Sequence, residues 1–284
     1  MASILVTGGT GNLGRHVVPL LRAQGHDLRV LSRRPHATSR AAESIRGAES
    51  RRASPRTPVV ESTPNVDGIE YVVGDTVSGA GLGAAVADID TVVHLAGSDK
   101  GDDVGTAHLA DAARAARVGH VVMISVVGAD RMPIGYFRAK DRAEQTLAAS
   151  GVPFTVLRAA QFHDFVWGMF GGMVRMPVVP APSGIRLEPV SVEEVAQRLA
   201  ELVDGPPAGR VADLAGPEVL DARTLLRGIA AVRRVRRPFV PMRVPGAVGR
   251  AYREGDNLAG PGVVRGHGTW AEYLEGRVAV SSAA

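Results

Sequence analysis

Near the amino end the chain reads Ser3-Ile4-Leu5-Val6-Thr7-Gly8-Gly9-Thr10-Gly11-Asn12-Leu13-Gly14, a strand, a turn and the start of a helix in twelve residues. The first five residues are a short β-branched and apolar run ending in glycines, the pattern of a buried parallel strand. Beyond them Leu13, Val17, Leu20 and Leu21 recur at i, i+4, i+7 and i+8, the stripe of a helix packed on one side, and Gly25 stands where a helix-ending glycine belongs. Glycines 8, 11 and 14 therefore lie directly between a strand and an amphipathic helix. Each has a mechanical use: a tight turn, close backbone approach to a pyrophosphate, and close helix–strand packing. The free N–H groups of the helix then face the phosphates. Glycines 9, 11 and 14 also make a G-x-G-x-x-G pattern, which says little alone in a chain with 34 glycines; the flanking strand and helix supply its context. Gly8, Thr10, Gly11, Asn12, Leu13 and Gly14 are the expected phosphate-binding residues.

Working outward, the same alternation repeats. Strands are expected at 27–31, 69–73, 91–95, 120–125 and 154–157, and helices at 106–117 and 136–149, with Gly119 and Gly151 as stops. Strand and helix alternating at this spacing imply an α/β fold with a doubly wound parallel sheet and right-handed crossovers. After about residue 160 prolines 177, 180, 182 and 189 break the pattern, and 192–203 reads as an amphipathic helix. The expected organisation is a dinucleotide-binding domain over 1–160 and a small C-terminal substrate-side lobe over 161–284, interleaved with the last strands of the sheet. Residues 36–64 join two strands with five arginines, five serines and three prolines. So long and polar a connection is either a flexible insertion or a flap over the adenine end of a cofactor.

Cofactor choice is read at the end of the second strand. An NAD site wants a carboxylate there to accept from the adenine ribose hydroxyls, whereas this chain has Leu31-Ser32-Arg33-Arg34. Asp27, at the start of that strand, lies roughly 13 Å away at about 3.3 Å per residue and cannot substitute. Guanidinium groups favour a 2′-phosphate through charge and bidentate geometry. Ser32, Arg33 and Arg34 thus point to NADP(H) in preference to NAD(H). Asp75, after the third strand, is placed to accept from the adenine amino group or to serve as a plain turn residue.

Tyr136-Phe137-Arg138-Ala139-Lys140 sets a tyrosine and a lysine at i, i+4 on one helix face, in a chain with four tyrosines and only two lysines. A tyrosine hydroxyl is a poor acid–base group at neutral pH until a neighbouring cation stabilises the phenolate. Ser125, at the end of the fifth expected strand, stands where a hydroxyl could bond a substrate carbonyl.

Together the opening Ile4–Gly11 run, Ser125, Tyr136-x-x-x-Lys140 and Leu157-Arg158-Ala159-Ala160-Gln161-Phe162 resemble the short-chain dehydrogenase/reductase superfamily, and within it the atypical, NmrA-like NAD(P)H-binding proteins. The resemblance covers nearly the whole chain except 36–64. It implies a Rossmann fold and hydride transfer to a carbonyl or quinone-like acceptor. Tyr136 would donate the proton, Lys140 would hold the nicotinamide ribose and lower the tyrosine pKa, and Ser125 would orient the carbonyl. Three features depart from it. His94-Leu95-Ala96-Gly97 replaces the usual Asn-Ala-Gly, Ser125 and Tyr136 are eleven apart, and some NmrA-like relatives bind the dinucleotide without turning it over. The alternative is therefore a redox sensor acting through a protein partner.

Gln161, Phe162 and His163 follow the sixth expected strand, at the edge where doubly wound folds bind ligands, and are the candidate substrate-pocket residues. His163 and Asp164 suit a proton relay or plain loop hydrogen bonding. Residues 222–253 carry nine arginines and no acid, which needs solvent or an anionic partner. The formal charge of +4 rests on 33 basic residues of which only Lys100 and Lys140 are lysines, a skew that weakens any nucleic-acid reading. With 45% hydrophobic and 22% charged residues the chain has ordinary globular composition, and with no Cys it lacks disulfide, thiolate and Cys-ligated metal chemistry. No His/Asp/Glu spacing resembles a metal site. No apolar run nears the ~18 residues that span a bilayer, so no membrane attachment is expected, and a strand beginning at Ser3 leaves no room for a leader. A cytoplasmic protein with a small-molecule substrate is the expectation.

Overall fold

The computed structural model describes residues 1–34, 62–66, 69–97 and 101–282. β1 (Ser3–Thr7), α1 (Gly14–Ala23) and β2 (Asp27–Ser32) form the first crossover, followed by β3 (Ser62–Val66), β4 (Ile69–Val73), the single turn α2 (Leu82–Ala85) and β5 (Thr91–His94). α3 (Asp102–Ala115), β6 (His120–Val126), α4 (Gly135–Ala149) and β7 (Phe154–Ala159) complete the alternating part. Then come α5 (His163–Gly171), β8 (Val179–Ser183), β9 (Arg186–Leu187), α6 (Val192–Asp204), β10 (Gly209–Arg210), β11 (Leu214–Ala215) and β12 (Leu220–Asp221). The chain closes with α7 (Ala222–Val232), β13 (Phe239–Arg243), α8 (Gly246–Glu254), β14 (Val264–Arg265) and α9 (Trp270–Ser282).

Ten strands form one sheet in the order β14-β11-β7-β6-β5-β1-β2-β4-β3, with β10 also on β7. Every pairing in it is parallel except β3 with β4. Strand order reverses between β1 and β5, the place where an open α/β sheet leaves a crevice at its carboxyl edge. The expected flexible segment over 36–64 falls largely outside the described residues, but its last three belong to β3, an antiparallel edge strand absent from the sequence reading.

The strands are buried on both faces, as parallel strands must be, and alternate between two cores. Ile4, Val6, Val93, Val122 and Leu157 face α1 and α6. Leu5, Val92, Val121, Met123 and Val156 face α2, α3 and α4. Two residues further along the second set, at the carboxyl ends, the same face carries Thr7, His94, Ser125 and Arg158 in adjacent strands. That polar row positions the site. A third core joins α5, β8, α7 and α9 through Phe170, Val179, Leu225, Ile229 and Trp270. Among the described residues no helix is long and apolar enough to cross a membrane.

Candidate functional site

The glycine loop is built by close backbone approach. Gly8 adopts φ +73°, and a Cβ on it would lie 2.6 Å from the Ala96 backbone nitrogen, so β1's exit is pressed against β5's. A Cβ on Gly14 would lie 2.3 Å from the Gly8 carbonyl oxygen, which locks the start of α1 onto the end of β1. The Gly11 amide donates to the Gly8 carbonyl at 2.9 Å, closing the turn. No side chain caps the N-terminus of α1; instead the loop's own carbonyls take its early amides, Arg15 bonding the Gly11 carbonyl at 3.1 Å and His16 the Leu13 carbonyl at 3.0 Å. Asn12 accepts from Arg15 through its side-chain oxygen. This cradle fits a pyrophosphate.

Arg33 and Arg34 lie exposed just past β2, and the Arg34 amide donates to Ser32 Oγ at 3.3 Å. Neither guanidinium has an ion-pair partner among the described residues. Asp75 folds back on its own turn: Oδ1 accepts from the Val77 amide at 3.0 Å and Oδ2 from Ser78 Oγ at 3.3 Å.

Across the crevice, the polar row is knitted into two networks. In the first, Thr7 Oγ1 and His94 Nδ1 are 2.7 Å apart, His94 Nε2 is 3.2 Å from Thr106 Oγ1, and Thr106 donates to the Asp102 carbonyl at 2.8 Å. Asp102 and Lys140, both buried, form an ion pair of 2.9 Å, and Lys140 Nζ also donates to the Ile124 carbonyl at 3.4 Å. Burial, and secondarily the Lys140 charge, lowers the His94 pKa to about 4, so the ring is neutral at physiological pH. In the second network Ser125 Oγ donates to the Glu144 carboxylate, which pairs bidentately with Arg158; Arg158 also reaches Asp130 at 2.6 Å. The Ser125 hydroxyl proton, expected from sequence to face a substrate carbonyl, is thus directed to a carboxylate inside the protein.

Tyr136 sits in the first turn of α4 with about a third of its surface exposed, its ring edge-on to Phe137 at 5.7 Å. Lys140, one turn on, turns inward, and its Nζ comes within 3.2 Å of where a Gly97 Cβ would stand. The structure thus brings Lys140 to the crevice beside Gly97, together with His94, Thr7 and the glycine loop.

Past β7, Gln161 and His163 are tied to Val190 by backbone bonds of 3.1 Å. Both polar atoms of the Gln161 amide, and His163 Nε2, are buried without a hydrogen-bond partner among the described residues. Burial lowers the His163 pKa, against the opposing pull of Glu194, Glu193 and Asp164. Its ring stacks on Tyr273 at 5.1 Å, while Phe162 packs on the core under α1 and α6. Asp164 accepts from Tyr273 and pairs with Arg277, pinning α5 to α9.

Asp102, Glu144 and the roles of His94 and Arg158 escaped the sequence reading. Glu144 carried a signal: with Lys140 and Leu147 it makes a buried i, i+4, i+7 stripe on α4, where two charges demand partners. Asp102 carried none, because its partner lies on another helix.

Comparison with known proteins gives this geometry a family. A model of NAD(P)H-binding proteins matches residues 8–206. A divinyl chlorophyllide a 8-vinyl-reductase of Zea mays is 29% identical over 235 residues, covering 76% of this chain and 55% of the relative. The Photosystem II assembly factor Ycf39 of Trieres chinensis is 32% identical over 167 residues, 57% of this chain and 46% of that protein. The chain therefore spans about half the length of these relatives. Among solved structures, an NADPH-dependent quinone oxidoreductase of Escherichia coli complexed with NADPH superposes with TM-score 0.72 at 18% identity, covering 96% of this chain and 99% of that one. A nucleoside-diphosphate-sugar epimerase of Staphylococcus aureus gives the same TM-score at 17% identity, with 96% and 99% covered. With the family model matched over residues 8–206, most of the chain, and the Rossmann-type sheet in place, the chain belongs to the NAD(P)H-binding family.

Proposed function

We propose that the protein is an NADPH-dependent reductase acting on a carbonyl or quinone-like acceptor. The observation that carries this reading is the Lys140 ammonium, held by Asp102 at the carboxyl ends of β5 and β6 with Tyr136 one turn before it on α4. A bound NADPH would supply the hydride; the chain's own residues bind, orient and move the proton. Gly8–Gly14 and the α1 N-terminus hold the pyrophosphate, Arg33 and Arg34 hold the 2′-phosphate, Lys140 holds the nicotinamide ribose, and the Tyr136 hydroxyl gives its proton to the acceptor oxygen.

Lys140→Ala is a poor test, since it strands the buried Asp102 carboxylate and destabilises the fold. Tyr136→Phe is cleaner: it keeps the ring and removes only the hydroxyl. Turnover should fall roughly 10²–10⁴-fold with NADPH affinity nearly unchanged. A NADPH-oxidising activity that survives the substitution rejects Tyr136 as proton donor. The cofactor preference is checked by fluorescence titration. A charge-assisted 2′-phosphate contact is worth about 1.5–3 kcal/mol, so NADPH should bind tenfold or more tighter than NADH, and Arg33→Ala/Arg34→Ala should erase the difference. Equal affinities in the unaltered protein reject the assignment.

A second reading has one observation in its favour. Because the Ser125 hydroxyl is committed to Glu144, the carbonyl-orienting group of the reductase reading is missing its proton. A dinucleotide-dependent binder, docking a partner protein through the arginine-rich 222–253 surface, needs no such group. No activity on carbonyl and quinone panels, with NADPH altering capture of that partner, would replace the reductase reading.

A further inference from the structure

The sheet order divides a dinucleotide lying across the crevice. With the pyrophosphate over the β1 loop and the adenine half toward β2, where Arg33 and Arg34 stand, the other half must extend over β5, β6 and β7. Most polar side chains at those strand ends already serve one another: His94 bonds Thr7 and Thr106, Lys140 bonds Asp102, and Ser125 bonds Glu144, which bonds Arg158. Gln161 differs. It follows β7 closely, its backbone is fixed by the Val190 bond, and yet its amide nitrogen and oxygen are both buried with no hydrogen-bond partner among the described residues. A buried amide with neither its donors nor its acceptor engaged is unfavourable unless something else completes it. What completes both at once is a group offering one acceptor and one donor side by side, and a primary carboxamide is such a group.

We propose that Gln161 is the residue that recognises the nicotinamide carboxamide, its Oε1 accepting from the carboxamide –NH₂ and its Nε2 donating to the carboxamide oxygen. The assignment rests on the dinucleotide reading and adds a residue to it: Gln161 fixes the rotation of the ring, and with it the ring face turned to the acceptor. It also moves Gln161 from the substrate to the cofactor.

The test is a binding cycle without turnover. NADP⁺ and its 3-acetylpyridine analogue, in which a methyl replaces the carboxamide –NH₂, are titrated calorimetrically into the unaltered protein and into Gln161→Met, a substitution of similar volume. The unaltered protein should bind NADP⁺ about tenfold tighter than the analogue, the worth of one hydrogen bond, and Gln161→Met should bind the two alike. Thermal melting without ligand should show Gln161→Met at least as stable as the parent, because an unsatisfied amide has been removed. An unchanged preference in Gln161→Met, or a lowered melting temperature showing that the amide serves the fold, overturns the proposal while leaving dinucleotide binding intact. Failure of the unaltered protein to bind either compound overturns the dinucleotide reading and this proposal with it.

Discussion

His94 shows how a single side chain links the site to stability. Its ring is buried between Thr7 and Thr106 and is held neutral, with a pKa lowered to about 4 first by burial and then by Lys140. Unfolding exposes it to water, where it takes up a proton near pH 6.5. Below that value the unfolded chain binds more protons than the folded one, so stability falls as pH drops from 6.5 toward 4. The loss should be on the order of 2 kcal/mol by pH 5. Urea midpoints at pH 7 and pH 5 check it: His94→Gln should flatten the dependence, and an equally steep fall in that variant would mean other groups are responsible. None of this was legible in the residue itself. The sequence shows a histidine at a strand end, but the lysine that helps depress its pKa is on α4 and the threonines that bond it are on β1 and α3. The same holds for Ser125, whose position could be read and whose partner Glu144 could not.

At the level of elements, the glycine loop is the part most fully written in local sequence, because its strand, turn and helix are contiguous. Its tight contacts give a sharp expectation. Gly14→Ala puts a Cβ 2.3 Å from the Gly8 carbonyl and 2.5 Å from Gly9 backbone, so the loop must open. Overpacking of this kind costs typically 1–3 kcal/mol, and NADPH affinity should fall together with the melting temperature. Gly83→Ala, in α2 with open space around it, is the control and should be neutral or slightly stabilising. If both variants behave alike, the close approach at Gly14 is not what the position is for. The elements that escaped prediction share a cause. β3 (Ser-Thr-Pro-Asn-Val) and β8 (Val-Pro-Ala-Pro-Ser) contain prolines and turn residues, which argue against strands. Both sit where a missing amide is tolerable, β3 at the end of the large sheet and β8 in a two-stranded one. α3 begins at Asp102, four residues before the apolar stripe announces it, since its first turn carries acids that favour a helix N-terminus without marking a core face.

For the whole molecule, the alternation up to residue 160 foretold a doubly wound parallel sheet, though not the order of its strands, while of the elements beyond it only α6 was foretold. The reason is range: β11 pairs with β7, β14 with β11, and β13 with β8, contacts whose partners lie far along the chain and leave no local period. The late position of α6 has a consequence for how the protein comes into being. The Ile4, Val6, Val122 and Leu157 face is covered by α1 together with α6, and α6 runs from Val192 to Asp204. A chain leaves the ribosome amino end first, so the strands of the cofactor-binding half are made before α6 is complete. Until then a swath of oily sheet is open to chaperones and proteases alike. The half of the protein that holds the dinucleotide therefore depends, for its survival at birth, on the half that is made last.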